Sequence, residues 1–313
     1  MVATLIERAS AELCTVEKQM VNKILITGAS GLLGHALVQQ ATAKGCEVCS
    51  LYHEHEPQAG RAIRLDVTDA NSVNECLQLE RPTIVINTAS ITDVDLCERE
   101  PELAKRVNGS AAGLLAEACD KFKAFLVQLS TDYVFDGRRG NYNESDDPAP
   151  VNQYGSSKLL GEHLVMQHEE TCVARASVVF GWGRPFRPNL ATWLYDKLSK
   201  GERVNVVSDQ FASPTLNTNL ASMIMELSQR GTRGIVHTAG ATRASRYDFA
   251  ISLAEQFNFD TKLVTPVKSD SSSWIARRPS DSSLSVTKAE RSLSEKPKEL
   301  TEALGEFAQA SKS

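Results

Sequence analysis

The sequence predicts an α/β protein, a doubly wound parallel sheet with a smaller lobe toward its C-terminus. Three observations carry this expectation. Short β-branched runs alternate with stretches whose apolar residues fall at helical spacing, a glycine-rich turn follows the first run, and the alternation loosens beyond about residue 180. Strands that alternate with helices read as a parallel sheet covered on both faces.

Strands are expected at "KILIT" from 23, "CEVCSL" from 46, "TIVIN" from 83, "AFLVQLS" from 124 and "TCVARASVVF" from 171, with another ending in "RLDVT". Residues 32–44, 70–80, 101–120 and 152–168 carry apolar residues at helical spacing. Beyond them, "GWGRPFRPN" reads as a loop, "LATWLYDKLSKG" as a helix and the serine-rich "KSDSSSW" as a surface loop. The expected division is an N-terminal extension over 1–21, a nucleotide-binding lobe over 22–178, and a segment over 179–313 that is mainly a substrate-binding lobe, with room for parts of it to return to the first.

Composition excludes several classes. With 313 residues, 42% apolar and 23% charged, the chain supports a sizeable core and two lobes. A net charge of -5 argues against nucleic-acid binding. The apolar runs are far shorter than the roughly 18 residues of a membrane helix, and Glu7, Glu12 and Glu17 argue against a transit peptide. The first twenty residues read as a loosely docked helical extension of a cytoplasmic protein. Seven cysteines read as reduced thiols. Cys46 and Cys49 form a CxxC, but on a strand they point to opposite faces and no helix follows at once to lower a thiol pKa. No metal site is expected.

"ILITGASGLLGHAL" sets Gly28, Gly31 and Gly34 after the first strand and at the mouth of a helix. This strand–turn–helix context makes the glycines a dinucleotide fingerprint: they allow a tight turn and close backbone approach, and the helix N-terminus offers free N–H groups to a pyrophosphate. The fold class is therefore Rossmann-like, and Gly28, Ser30, Gly31, Leu32, Leu33 and Gly34 are the expected cofactor contacts. "NTAS" places Thr88, Ala89 and Ser90 at the end of the fourth strand, where cofactors lie in open α/β sheets. After the second strand, "SLYHEHEPQAGR" has no acid at Leu51, Tyr52 or His53 to hold ribose hydroxyls, and His53, His55 and Arg61 are close by. The cofactor is NADPH or NADH, with NADPH preferred.

"NQYGSSKLLGE" places Tyr154 and Lys158 four apart on an expected helix, so a phenol and an ammonium share one face. Free tyrosine titrates near about 10, and proton transfer near neutral pH asks for a shift of roughly three units, which a nearby ammonium favours. The partner hydroxyl is expected at the end of the preceding strand, where "VQLSTDYVFDG" offers Ser130 and Thr131. Thr131 is the favoured one.

"LSTDYVFDG", "NQYGSSKLLGE", "INTASITDVDLCEREP" and "SDQFASPT" together resemble the extended short-chain reductases of the dTDP-4-dehydrorhamnose reductase group, from about residue 22 to "RRPSDSSLSVTK". The resemblance implies reduction of the C4 ketone of a nucleotide-linked 6-deoxyhexose, with Tyr154 donating the proton, Lys158 holding the nicotinamide ribose and Thr131 orienting the carbonyl. It also implies adenine contacts at Asp66 and Val67, a sugar contact at Asp132, and a homodimer. Where the bacterial reductases set a tryptophan against the sugar, this chain has Val178, with Trp182 nearby. Arg277 and Arg278 in "ARRPSD" suit a substrate diphosphate, because a guanidinium fork matches it. Trp193 and Trp274 are expected as packing residues, and "SDQFASPT" as a hinge or pocket wall. The same group includes the regulatory β subunit of methionine adenosyltransferase, so a non-catalytic NADP-binding subunit is the second reading and a nucleotide-sugar epimerase the third.

Overall fold

The computed structural model describes residues 22–183, 188–271 and 273–311. The expectation for residues 1–21 lies outside the described residues. The main sheet takes β1 (Lys23–Thr27), β2 (Glu47–Tyr52), β3 (Arg61–Arg64), β4 (Ile84–Asn87), β5 (Phe125–Thr131), β6 (Thr171–Ala176) and β7 (Gly234–His237). The longer helices are α1 (Leu32–Ala43), α2 (Ala70–Glu80), α3 (Ala111–Phe122), α4 (Gln153–Val165), α5 (Leu190–Ser199), α6 (Asn217–Arg230), α7 (Arg246–Gln256) and α8 (Leu300–Ala310).

In space the strands run β3-β2-β1-β4-β5-β6-β7, and every pairing is parallel. Strand order reverses between β1 and β4, the switch point outside whose strand ends ligands bind in doubly wound sheets. Successive strand residues face opposite ways. Ile24 and Ile26 accordingly join the core under α1 and α6, while Leu25 joins the core under α2 and α3. β7 and α6 come from beyond residue 200, so the second half of the chain supplies both an edge strand and a covering helix to the first lobe.

The remaining segments build a separate core around Phe180, Phe249 and Phe307. Three short strand pairs support it: 179–180 with 215–216, 204–207 with 264–267, and 211–212 with 244–245. Trp193 packs against this core, as expected. Trp182 does too: it stacks on Phe307 at 4.5 Å and donates to the Phe307 carbonyl at 2.7 Å. Trp274 departs from expectation. It is 36% exposed, with the Arg278 guanidinium 5.4 Å from its ring. Cys46 and Cys49 are both free thiols, and burial pushes each above the ordinary thiol range.

Helix α4 sits unusually close to its neighbours. Asn152 caps it by accepting from the Gly155 N–H at 2.8 Å. A Cβ added at Gly161 would lie 2.6 Å from the Asn108 carbonyl oxygen, in the π-helical turn over Lys105–Ser110. Buried Asn108 donates to Ser157 at 3.1 Å and binds the backbone of Ile91 through both N–H and C=O, which fastens α4 to the loop after β4. Gly161→Ala is therefore expected to destabilise the protein by about 1–3 kcal/mol, as an overpacked contact against backbone does. Urea unfolding would show it as a lower midpoint at unchanged slope.

Candidate active site

A cleft of about 670 Å³ opens over the C-terminal edge of the sheet. Its floor is the glycine turn. Gly28 has φ +63°, and a Cβ there would sit 2.9 Å from the Ala89 nitrogen. A Cβ at Gly34 would meet the Gly28 carbonyl at 2.1 Å. The first glycine is thus needed for the turn and the last for the approach of helix to strand. At the head of α1, Gly31 makes no side-chain cap and no acid stands in the first turn, as is also the case for α6; the head of α1 lines the cleft. An uncapped twelve-residue helix leaves its first N–H groups and dipole for an anion. These features fit a dinucleotide pyrophosphate.

The structure brings Gly28, Ser30, Gly31, Leu32, Leu33 and Gly34 to one wall of this cleft and Thr88, Ala89 and Ser90 to the next. Tyr154, Lys158, Thr131, Asp132 and Val178 line it as well. Beneath the floor, polar side chains cross the sheet in a row. Thr27 donates to Asn87, Asn87 to Gln128 at 2.7 Å, and Gln128 to the Leu129 carbonyl at 2.8 Å. All three side chains are buried.

Lys158 is 3% exposed, and its Nζ donates to the same Leu129 carbonyl at 2.6 Å. Burial holds its pKa down at about 8, against an upward pull from Glu162. Thr131 lies beside Tyr154 in the cleft lining and donates to Asp132 Oδ1 at 3.0 Å. Ser130 turns instead to Glu162, so the strand end delivers Thr131 to the phenol. Burial pushes the Tyr154 pKa up, with the Thr131 hydroxyl opposing. Desolvation outweighs the Thr131 contribution, and the ammonium is turned to Leu129. A raised value keeps the phenol protonated.

Asp132 is 2% exposed at the cleft wall and its carboxylate accepts from Thr131, Ser177 and Ser282, which anchors strand ends and the 282 segment. Other expected contacts fall elsewhere. Neither Arg277 nor Arg278 lines the cleft. Arg278 pairs with Asp95 at 3.0 Å, and the Arg277 carbonyl accepts from Asn152 at 2.8 Å, so this segment braces the base of α4. Asp66 and Val67 follow β3 on the edge that carries the glycine turn but outside the cleft lining. There the Thr68 N–H, first, and its hydroxyl hold Asp66 below the usual carboxylate range. Arg61 opens β3 at the opposite edge and pairs with buried Glu80, as Lys23 does. The cation beside the end of β2 is Arg64, which donates to the His53 carbonyl at 3.1 Å, while Glu54 stays exposed.

Sequence reading missed Arg246, the head of α7, which lines the cleft from the second lobe. It reaches Gln210 Oε1 at 3.3 Å, and among the described residues it has no carboxylate partner. Gln210 belongs to "SDQFASPT", so that segment backs the cleft wall. Val178 has φ +39°, a left-handed conformation that is strained for a β-branched residue. Strain of this kind persists where the surroundings force it, here between β6 and the 215 segment whose N–H binds the Val178 carbonyl at 3.1 Å.

Strand order, uncapped glycine turn and cleft define the extended short-chain dehydrogenase/reductase class. A family model described as RmlD substrate binding domain matches residues 22–313, and the chain belongs to that family. It is 36% identical over 274 residues to the probable low-salt glycan biosynthesis reductase Agl14 of Haloferax volcanii, covering 86% of this chain and 91% of that one. It is 36% identical over 273 residues to a dTDP-4-dehydrorhamnose reductase of Mycolicibacterium smegmatis, covering 85% and 79%. The solved dTDP-4-dehydrorhamnose reductase of Bacillus anthracis in complex with NADP superposes with a TM-score of 0.80 at 30% identity, over 93% of this chain and all of that one. Similarity to methionine adenosyltransferase 2 subunit beta is lower, 31% for the Xenopus laevis protein over 86% of this chain and 82% of that one.

The buried lysine yields a stability test. Its native pKa of about 8 lies below the ordinary 10.5, so between those values the unfolded chain holds a proton that the native lysine has released, and stability rises with pH across that window. Lys158→Met removes a cation that burial disfavours, and at pH 7 it is expected to stabilise the protein by roughly 2 kcal/mol in urea unfolding. A destabilised variant would contradict this reading of Lys158.

Proposed function

We propose that the protein is an NAD(P)H-dependent reductase acting on the C4 ketone of a dTDP-linked 6-deoxysugar, a reading supported by its similarity to proteins named dTDP-4-dehydrorhamnose reductase. The observation that carries the proposal is the meeting of Thr131, Tyr154 and Lys158 in one cleft with an uncapped, glycine-lined helix N-terminus. Gly28 to Gly34 hold the cofactor pyrophosphate, and Thr88 to Ser90 flank it. Bound, the reduced nicotinamide supplies a hydride to the carbonyl carbon. Tyr154 gives its phenolic proton to the carbonyl oxygen, which balances the addition as a secondary alcohol. Thr131 orients that oxygen by turning to it the one hydroxyl proton that it otherwise donates to Asp132. The Lys158 ammonium lies one helix turn from the phenol and stabilises the phenolate left after transfer.

Arg64 at the end of β3 stands beside His53, which follows β2, and Glu54 is exposed, which favours NADPH over NADH through the extra phosphate. Arg246 is the stronger candidate for the substrate-diphosphate role expected of Arg277 and Arg278, since among the described residues it is the arginine that lines the cleft. Val178 leaves space where a tryptophan ring would stand, which favours a sugar pocket wider on that side. Among the described residues no helix is long and apolar enough to cross a membrane. The homodimer and the cytoplasmic location expected from sequence belong to this same proposal, supported by family likeness and the short apolar runs.

Loss of NADPH absorbance at 340 nm on addition of dTDP-4-dehydro-6-deoxy-L-mannose tests the activity. Tyr154→Phe is expected to lower kcat by about 10²–10⁴-fold with NADPH affinity retained. Full activity in that variant, or no turnover in the wild type, would refute the assignment. Arg246→Ala is expected to raise KM for the nucleotide sugar by roughly 10-fold or more while kcat changes little, as loss of a charge-assisted contact does.

A further inference from the structure

Three consecutive residues at the end of β5 each hold one residue of α4, and the three helix residues stand one turn apart. Thr131 meets the Tyr154 phenol, the Leu129 carbonyl accepts from Lys158 Nζ at 2.6 Å, and Ser130 Oγ donates to Glu162 Oε1. Positions 154, 158 and 162 share a helix face. The face that presents the phenol and the ammonium therefore ends on a carboxylate.

Glu162 is 2% exposed and takes no part in hydride or proton transfer as described above. Arg175 of β6, 1% exposed, grips it from the far side, Nε to Oε1 at 2.9 Å and Nη2 to Oε2 at 2.6 Å. Behind the arginine, Nη1 lies 3.4 Å from His237 Nε2, and Glu144 accepts from the His237 N–H at 3.0 Å. The Ser130 hydroxyl satisfies a further lone pair of this buried carboxylate. That contact joins the carboxylate to the strand end that carries Thr131.

We propose that Glu162 is a positioning residue for proton transfer: it locks the end of β5 to α4 through Ser130, and its negative charge, one turn along the same helix face, favours the ammonium form of Lys158. The inference rests on the reductase reading. The charged and titratable groups around this face are Tyr154 and Glu162 on α4 itself, Cys97 and Glu98 from the helix over Val94–Arg99, Asp132 and Tyr133 after β5, and Arg175 from β6. Of these, Glu162, one turn along the same face, is the carboxylate that pulls the Lys158 pKa upward.

Burial already holds Lys158 at about 8, and Glu162 opposes that fall. Without the carboxylate the ammonium loses its proton at lower pH. In Glu162→Gln, the alkaline limb of the pH profile of kcat/KM is expected to move down by about one unit. Glu162→Asp keeps the charge and returns the limb toward the wild-type position. Should Glu162→Gln fail to fold because Arg175 is left unpaired, the double variant Glu162→Gln with Arg175→Met removes both charges and takes the same measurement. A limb that stays in place in the neutral variant, or that shifts equally in Glu162→Asp, overturns the proposal. Wild type that turns over no 4-keto nucleotide sugar would instead sink the reductase reading. The Lys158 titration is then read from the pH dependence of NADPH binding by nicotinamide fluorescence, with the same downward shift expected in Glu162→Gln and an unchanged profile overturning the role of Glu162.

Discussion

The site depends on how one helix docks on one strand end. α4 carries the phenol and the ammonium, and its position over β5 is set by a buried carboxylate–guanidinium pair, an Asn152 cap and glycines that let it approach the neighbouring turn. A buried ion pair is weak evidence of net stability, because desolvation of both charges offsets their attraction. Its value here is geometric. Glu162 and Arg175 satisfy one another only in a single register of α4 against β5 and β6, and that register places Tyr154 beside Thr131.

From this contact the rest of the cleft follows. The Leu129 carbonyl that receives Lys158 also receives Gln128, the last member of the polar row that begins at Thr27 beside the glycine turn. Buried polar groups are costly unless each is paired, so the row fixes the relative heights of β1, β4 and β5 at the edge where a cofactor lies. Among the described residues the cleft lining then contains two basic side chains, Lys158 from the first lobe and Arg246 from the second, together with a carboxylate, Asp132, occupied by three hydroxyls. The arrangement suits a ligand that is anionic along its length and neutral at the reacting centre.

Legibility in the sequence followed the range of the interactions involved. The glycine turn, the strand and helix alternation and the Tyr154/Lys158 pair are local patterns, and the structure holds them where the spacing placed them. Asp132 reads as a polar residue after a strand, and only Ser177 and Ser282, distant in sequence, reveal that its carboxylate is already bound. Arg278 looks like a ligand for phosphate until Asp95 is found beside it. Arg246 gave no local signal, since it belongs to the first turn of an ordinary capped helix. Glu162 was in plain view at the fourth position after Lys158, but its meaning required Ser130 and Arg175. β7 and α6 return to the sheet from the far half of the chain, a pairing that a strand pattern alone does not locate.

The central claim is that this docking leaves the Tyr154 hydroxyl facing the reacting carbon of a ligand laid against the cofactor. A crystal structure of the protein with NADP and the reduced nucleotide sugar tests it most directly. The account predicts Tyr154 Oη within about 2.6–3.2 Å of the sugar O4, Thr131 Oγ beside the same oxygen, and Lys158 turned from Leu129 to the nicotinamide ribose. A phenol directed away from O4, or a sugar bound outside the cleft of Thr131 and Val178, would contradict it.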